Sequence, residues 1–331
     1  MGLDEFDRIK KYFRPLASNE RGALELLDDA AVLPVEDTSK IVISADALVE
    51  GIHYFGEEEA DLIAQKSLRT NLSDMAAMGA TPWVYTLSLS IGPIVGGGLD
   101  QWLETFVKGL KKDQTEYNIG LVGGDTVIGS GPTVISITIL GKANSGRVIT
   151  RNGASVDDDI YVSGTIGDSA IGLKIIKEPI NELAWSDQLY LKDRYYLPRP
   201  RVKLGMGLVG VASAAMDVSD GLIQDLEHLC SASNLGASIN WPRLPLSKPV
   251  EHLLSKKIIP ISVIANGGDD YELLFTAPKR LRTKVEDIAK ASDVVVTRIG
   301  YTINDSDVRL LDETNSSINL IGTGFKHDEI V

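Results

Sequence analysis

Along most of the chain the apolar positions switch between a period near two and a period near 3.6, so strands and helices succeed one another. Ile41–Ser44 is a short β-branched run and reads as a strand. Over Glu58–Met78, the residues Leu68, Leu72, Met75 and Ala76 recur at helical spacing. Gly79 closes that helix, and Pro82 opposes its continuation. Trp83–Ser90 alternates as a strand, and Leu99–Tyr117 is helical and closed by Gly120. Leu121 and Val122 lead into Gly123-Gly124-Asp125, a residue combination that predicts a turn. Thr133–Leu140 is strongly β-branched and predicts another strand.

A polar, glycine-containing stretch at Lys142–Ser155 interrupts this rhythm and predicts a domain boundary, with residues 1–145 on one side and 146–331 on the other. Beyond it come a strand at Ile160–Ser163, a helix from Asp168, and a helix introduced by Pro198 and Pro200 that runs through Val211. Met216–Val218 predicts a strand leading into a helix near Asp220, and Tyr271–Thr276 and Val294–Thr297 predict two more strands. Both halves are therefore α/β or α+β, with no internal repeat and no low-complexity segment.

Length supports the division, since 331 residues at about 100–200 per domain make two. Cys230 is the single cysteine, which forbids an internal disulfide or a thiolate metal cluster and predicts a reduced, cytoplasmic setting. Acidic residues stand among Met1–Arg8, where a secretory leader would be basic. The near-apolar runs fall far below the roughly 18 residues of a membrane span, so no membrane partner is expected. The formal net charge of −13 argues against a nucleic-acid surface. It would also repel free ATP unless divalent cations or local basic residues offset it.

The familiar phosphate loops are not the answer. The pattern G-x-x-x-x-G-K-[S/T] does not occur. Gly205-Met206-Gly207-Leu208-Val209-Gly210 fits G-x-G-x-x-G, but Leu197-Pro198-Arg199-Pro200-Arg201 precedes it instead of a strand. These glycines read better as small residues on a closely packed helix. The protein-kinase signatures H-R-D and D-F-G do not occur either.

What stands out is a series of aspartates at strand ends and turns: Asp28-Asp29, Ser44-Ala45-Asp46, Gly123-Gly124-Asp125, Asp217-Val218-Ser219-Asp220-Gly221 and Gly267-Gly268-Asp269-Asp270. Asn71-Leu72-Ser73-Asp74 adds one more on a helix. Singly, each is explained by the fondness of aspartate for turns and caps. Together they match the needs of Mg²⁺, a hard cation that takes oxygen ligands and keeps several waters. The four histidines show no zinc-ligand spacing. Carboxylates gathered in one place raise one another's pKa, so such a site should be loose without Mg²⁺ and ordered with it.

The strings Asp28-Asp29-Ala30-Ala31-Val32, Ser44-Ala45-Asp46-Ala47-Leu48-Val49-Glu50-Gly51-Ile52-His53, Asn71-Leu72-Ser73-Asp74-Met75-Ala76-Ala77-Met78-Gly79-Ala80, Gly123-Gly124-Asp125-Thr126, Gly167-Asp168-Ser169-Ala170, Met216-Asp217-Val218-Ser219-Asp220-Gly221-Leu222 and Gly267-Gly268-Asp269-Asp270-Tyr271-Glu272-Leu273 occur in this order. They resemble the thiamine-monophosphate kinase family, from about Asp4 to Phe325.

The resemblance implies the fold shared with aminoimidazole-ribonucleotide synthetase: two α/β (α+β) domains and a homodimer whose N-terminal sheets form a barrel. It implies an N-terminal ATP/Mg-binding and dimerisation domain and a C-terminal domain that completes the site. It implies metal roles for Asp28, Ser44, Asp46, Asp74, Asp125, Asp217 and Asp220, with the Ala45 carbonyl, and several Mg²⁺ ions. Among these, Asp74, Asp125 and Asp220 would be central to catalysis. Gly124, Asp125, Arg151 and Ser219 match nucleotide-contacting positions. His53, Asp269 and Phe325 match substrate positions.

Three departures accompany it. Glu25-Leu26-Leu27 stands where the family has glycines before Asp28, Asp269 replaces a glutamate, and Phe325 stands where a tryptophan is common. The implied reaction carries a phosphoryl group from ATP to thiamine monophosphate, giving thiamine diphosphate. The attacking phosphate oxygen is already anionic, so no strong base is needed, and positioning and charge stabilisation dominate. The alternatives are another ATP-using relative of the synthetase or a non-catalytic nucleotide-binding protein. The tail His327–Val331 carries no cysteine, which counts against the related hydrogenase-maturation dehydratase. There is likewise no N-terminal cysteine of the kind expected in a selenophosphate synthetase.

Overall fold

The structure is a computed structural model, and it describes residues 27–28, 31–34, 40–94, 98–143 and 145–319. The N-terminal part is a five-stranded sheet built from β1 (Ala31–Pro34), β2 (Lys40–Val49), β3 (Ala80–Ile91), β4 (Gly120–Ile128) and β5 (Val134–Ala143). The strand order is β1-β2-β5-β3-β4. All neighbours are antiparallel except β3 and β4, which run parallel and are connected through helix α2 (Leu99–Tyr117).

Alternation along β5 sends Ile135, Ile137 and Ile139 to one face, where they are completely buried. Helix α1 (Ala60–Ala77) covers that face with Leu68, Leu72 and Met75. Helix α2 crosses α1 closely: a side chain added at Gly109 would meet the Asp61 carbonyl at 2.3 Å. Asn118, in the left-handed conformation, ends α2, and Gly120 is the first residue of β4.

The expected turn at Gly123-Gly124-Asp125 is instead the interior of β4. Glycine serves close approach there, because a Cβ on Gly124 would lie 1.8 Å from the Leu87 carbonyl on β3. A register shift between Tyr85 and Thr86 accommodates the contact.

The C-terminal part is a six-stranded sheet. Its strands are β6 (Asp159–Ser163), β7 (Ala214–Asp217), β8 (Gly236–Asn240), β9 (Leu273–Ala277), β10 (Val296–Ile303) and β11 (Val308–Leu311), in the order β11-β8-β10-β6-β9-β7. Residues of β6, β7 and β9 are buried throughout, as in a sheet covered on both faces. The helices are α3 (Asp168–Lys177), α4 (Trp185–Tyr196), α5 (Val202–Leu208), α6 (Leu222–Ala232), α7 (Lys248–Ser255), α8 (Ile261–Ala265) and α9 (Arg282–Ser292).

Helix α1 joins the two parts. Its last turn places Ala76 and Ala77 in a third apolar cluster with Leu204, Leu208, Leu273 and Phe275. The G-x-G-x-x-G sequence lies on and after α5, as small residues on a packed helix. A Cβ on Gly205 would sit 1.9 Å from the Ala76 carbonyl, so glycine lets α5 rest directly on α1. Arg69 of α1 adds a polar tie, pairing with buried Asp113 of α2 and donating to the Pro198 carbonyl at 3.1 Å.

Candidate functional site

The aspartates come from both sheets. On β2, alternation puts Ser44 and Asp46 on the face opposite Ala45. Ser44 is buried and its Oγ donates to Asp74 Oδ2 of α1 at 2.5 Å. Asp28 Oδ1 accepts from the Arg151 backbone N–H, also at 2.5 Å, so the first aspartate is fixed to the segment that opens the C-terminal half. Asp125 lies on exposed β4, opposite Ser88 of β3, and its Oδ1 accepts from the Thr126 N–H at 2.8 Å.

From the other sheet, Asp217 ends β7, and the chain turns through Val218–Gly221 into α6. One buried carboxylate shapes this turn. Asp225 Oδ2 accepts from the N–H groups of Ser219, Asp220 and Gly221 at 3.0, 3.1 and 3.2 Å. Burial, then the charges of Asp220 and Asp217, push the Asp225 carboxyl well above the carboxylate range.

The Gly267–Tyr271 loop packs on this turn. Asp269 N–H donates to the Ser219 carbonyl and Tyr271 N–H to the Val218 carbonyl, both at 2.8 Å. A Cβ on Gly268 would meet the Ser219 carbonyl at 2.3 Å. Beneath the loop, completely buried Glu272 takes two hydrogen bonds from Arg201, one from Arg194 at 2.9 Å and one from Ser163 at 2.6 Å. This network holds the loop against β6 and α4.

Tyr271 reports how the two halves meet. Burial, and then the charges of Asp269, Asp46, Asp217 and Asp220, push its phenol well above the ordinary value. Asp46 belongs to the N-terminal sheet and the other three to the C-terminal part, so their fields act on one group.

His53 lies in the turn after β2. Its Nδ1 accepts from the Val49 N–H at 3.0 Å, which leaves the ring proton on Nε2. Its carbonyl accepts from Lys66 Nζ and from the Tyr195 hydroxyl, each at 3.1 Å. Lys66 also donates to Asp269 Oδ2 at 3.0 Å, which brings the two substrate candidates His53 and Asp269 to one cation. The third substrate candidate, Phe325, lies outside the described residues, as do Glu25 and Leu26.

Lys66, Asp225 and Glu272 support the site and were not among the residues singled out from the sequence. Asp225 alone carried a signal, as an acid one turn inside the helix that follows Asp220 and Gly221.

The donors are all oxygens, from serine, aspartate and backbone carbonyl, which suits Mg²⁺. Among the described residues, no three His, Cys, Asp or Glu side chains form a closed metal cage. Mg²⁺ bound with nucleotide does not require one, because phosphate oxygens and waters complete its shell.

Residues 27–143 match the family described as AIR synthase related protein, N-terminal domain, and residues 155–313 match the corresponding C-terminal domain. A thiamine-monophosphate kinase of Caulobacter vibrioides is 41% identical over 307 residues, covering 92% of this chain and 85% of that protein. The chain belongs to the thiamine-monophosphate kinase family. The thiamine-monophosphate kinase of Escherichia coli (strain K12) is 36% identical over 331 residues, covering 99% of each chain. The solved structure of AaThiL complexed with AMPPCP and TMP superposes with a TM-score of 0.83 at 27% identity, covering 99% of each chain. In this fold Lys66 of α1 reaches Asp269 of the Gly267–Tyr271 loop, which packs on the Val218–Gly221 turn.

Proposed function

We propose that this chain transfers the γ-phosphoryl group of ATP to thiamine monophosphate, giving ADP and thiamine diphosphate. The observation that carries the reading is the pair of contacts that join candidate residues of the two halves, the Arg151 N–H to Asp28 Oδ1 at 2.5 Å and Lys66 Nζ to Asp269 Oδ2 at 3.0 Å, in a chain 41% identical to a thiamine-monophosphate kinase. A phosphate oxygen of the acceptor forms the new bond to the γ-phosphorus. The bond to the β-phosphate oxygen breaks, and ADP leaves with that electron pair. The attacking oxygen is already an anion near neutral pH, so no proton need be removed.

Asp28, Ser44, Asp46, Asp74, Asp125, Asp217 and Asp220, with the Ala45 carbonyl, are the residues that would hold Mg²⁺. Bound Mg²⁺ supplies positive charge between donor and acceptor phosphates. Gly124, Asp125, Arg151 and Ser219 face the nucleotide in this reading. The guanidinium fork of Arg151 suits a phosphate, and Asp28 fixes its backbone. His53, Asp269 and Phe325 take the acceptor. Residues 1–145 form the domain that binds ATP and Mg²⁺, and residues 146–331 complete the site.

A homodimer is part of the proposal. Strand β4 is a nine-residue sheet edge that exposes Leu121, Val122, Val127 and Ile128. Such an edge is normally covered, here by the same edge of a second copy in a barrel. The lone cysteine, Cys230, is buried and fits a reduced cytoplasmic setting. Among the described residues no helix is long and apolar enough to cross a membrane.

The test is ADP release from ATP with Mg²⁺ in the presence of thiamine monophosphate, free thiamine or no acceptor. Release stimulated only by the monophosphate and abolished by chelating Mg²⁺ is the expected result. ATP binding without stimulation by the monophosphate would overturn the reading.

A further inference from the structure

Lys66 is 3% exposed, in the middle of α1. Burying an ammonium is expensive unless each of its hydrogens finds a partner. Here each does. One points to Asp269 Oδ2 at 3.0 Å and one to the His53 carbonyl at 3.1 Å. The third faces the ring of Tyr195, whose centroid lies 3.6 Å away. Tyr195 is itself buried, and its hydroxyl returns to the same His53 carbonyl at 3.1 Å. The cation therefore joins α1, the turn after β2, α4 and the Gly267–Tyr271 loop at one point.

The arrangement leaves Lys66 with no donor to offer a ligand. Asp269 is different. Its side chain is 33% exposed, and among the described residues its Oδ1 has a single long contact, 3.4 Å, from the Tyr271 hydroxyl. Its backbone is pinned by the bond to the Ser219 carbonyl and holds a left-handed φ of 66°. With the main chain fixed and Oδ2 taken, rotation about the side-chain bonds of Asp269 is suppressed. Oδ1 is then presented in one direction, beside the turn that carries Ser219 and Asp220.

We propose that Lys66 is a positioning residue for the acceptor: by gripping Asp269 Oδ2 and the His53 carbonyl it fixes the carboxylate oxygen that receives the amino group of the pyrimidine ring of thiamine monophosphate. This rests on the kinase reading given above. Lys66 then governs acceptor affinity and leaves ATP binding largely alone, because two of its partners, Asp269 and His53, are the acceptor candidates and the third, Tyr195 of α4, bonds the same His53 carbonyl. A freely rotating carboxylate would lose orientation and bind about tenfold or more weakly, the scale of a single misplaced polar contact.

The experiment is steady-state kinetics of Lys66→Met, Asp269→Asn and the double variant, with folding checked by thermal melting. Lys66→Met should raise the KM for thiamine monophosphate about tenfold or more, with the KM for ATP and kcat within about threefold of the parent. In the Asp269→Asn background the same substitution should add little, since the group it positions is already gone. If Lys66→Met does not fold, Lys66→Arg keeps the charge and should still shift the acceptor KM alone. An unchanged acceptor KM, an equal rise in both KM values, or additive effects in the double variant would overturn the proposal while leaving the kinase reading intact. Absence of stimulation by thiamine monophosphate in the parent protein would overturn both.

Discussion

Ser44 and Asp74, thirty residues apart in the chain, meet through a 2.5 Å hydrogen bond from Ser44 Oγ to Asp74 Oδ2. The bond ties the second strand of the sheet to the helix that covers it. It also aims Asp74 Oδ2 and so sets the orientation of that carboxylate. Replacing Asp74 by asparagine should reduce turnover by at least about 100-fold with the melting temperature little changed. Ser44→Ala should cost about 10–100-fold, the usual scale for a group that orients a ligand. Titrating Mg²⁺ against activity checks both, and near-parental turnover of Asp74→Asn at saturating Mg²⁺ would remove Asp74 from the metal set.

Asp225 makes a different prediction, because its Oδ2 holds three backbone N–H groups. Asp225→Ala leaves three N–H donors of the 219–221 turn without their acceptor, at about 1–3 kcal/mol for each buried donor left unpaired. The turn should lose its shape, so both the KM for ATP and the melting temperature should suffer. Asp225→Asn retains one oxygen and should recover part of each. Melting curves with and without ATP distinguish a reshaped turn from global loss of stability, since only a surviving site gains stability from nucleotide.

The packing of α5 on α1 can be tested through Gly205. Its would-be Cβ lies 1.9 Å from the Ala76 carbonyl, a backbone atom that cannot rotate away. Gly205→Ala should therefore destabilise the fold by about 1–3 kcal/mol or more, as forced overpacking does. Chemical denaturation should show the loss in the unfolding midpoint. A neutral effect would mean that the two helices separate without penalty.

The parts legible in the sequence are those fixed by local pattern. Leu99–Tyr117 was readable to the residue because apolar spacing and its flanking residues agree. The aspartate strings were readable because turn-forming acids next to apolar strands are rare in such number. Gly123-Gly124-Asp125 misled, because local chemistry favours a turn, whereas the approach of β4 to the Leu87 carbonyl demands glycine inside a strand. Lys66 was invisible for another reason. On a helix a lysine ordinarily faces solvent, and the partner that buries this one lies 203 residues away. The same holds for Glu272, whose arginines come from α4 and the start of α5 and are brought to it only by the sheet. Pairings of that range follow from the assembled fold and leave no periodic trace.

Asp270 yields a prediction about pH. Its carboxyl is completely buried and accepts from the Gly167 and Ser169 N–H groups at 2.6 and 3.2 Å. Burial raises its pKa to about 8; the nearby charge of Asp168 adds to the rise, while the Gly167 hydrogen bond and the Arg194 charge oppose it. In the unfolded chain the same carboxyl titrates near 3.9. Between these values the folded protein holds a proton that the unfolded chain has lost, so stability falls as pH rises through this window. Above about 8 both states are ionised and the dependence ends. Asp270→Asn carries no titrating proton and should lack this component. Melting temperatures of parent and variant should therefore converge or cross as pH rises from about 5 to 8, with the parent losing more, and then run parallel. A constant difference across that range would mean that Asp270 keeps an ordinary carboxylate pKa in the fold, with the two backbone N–H groups outweighing burial.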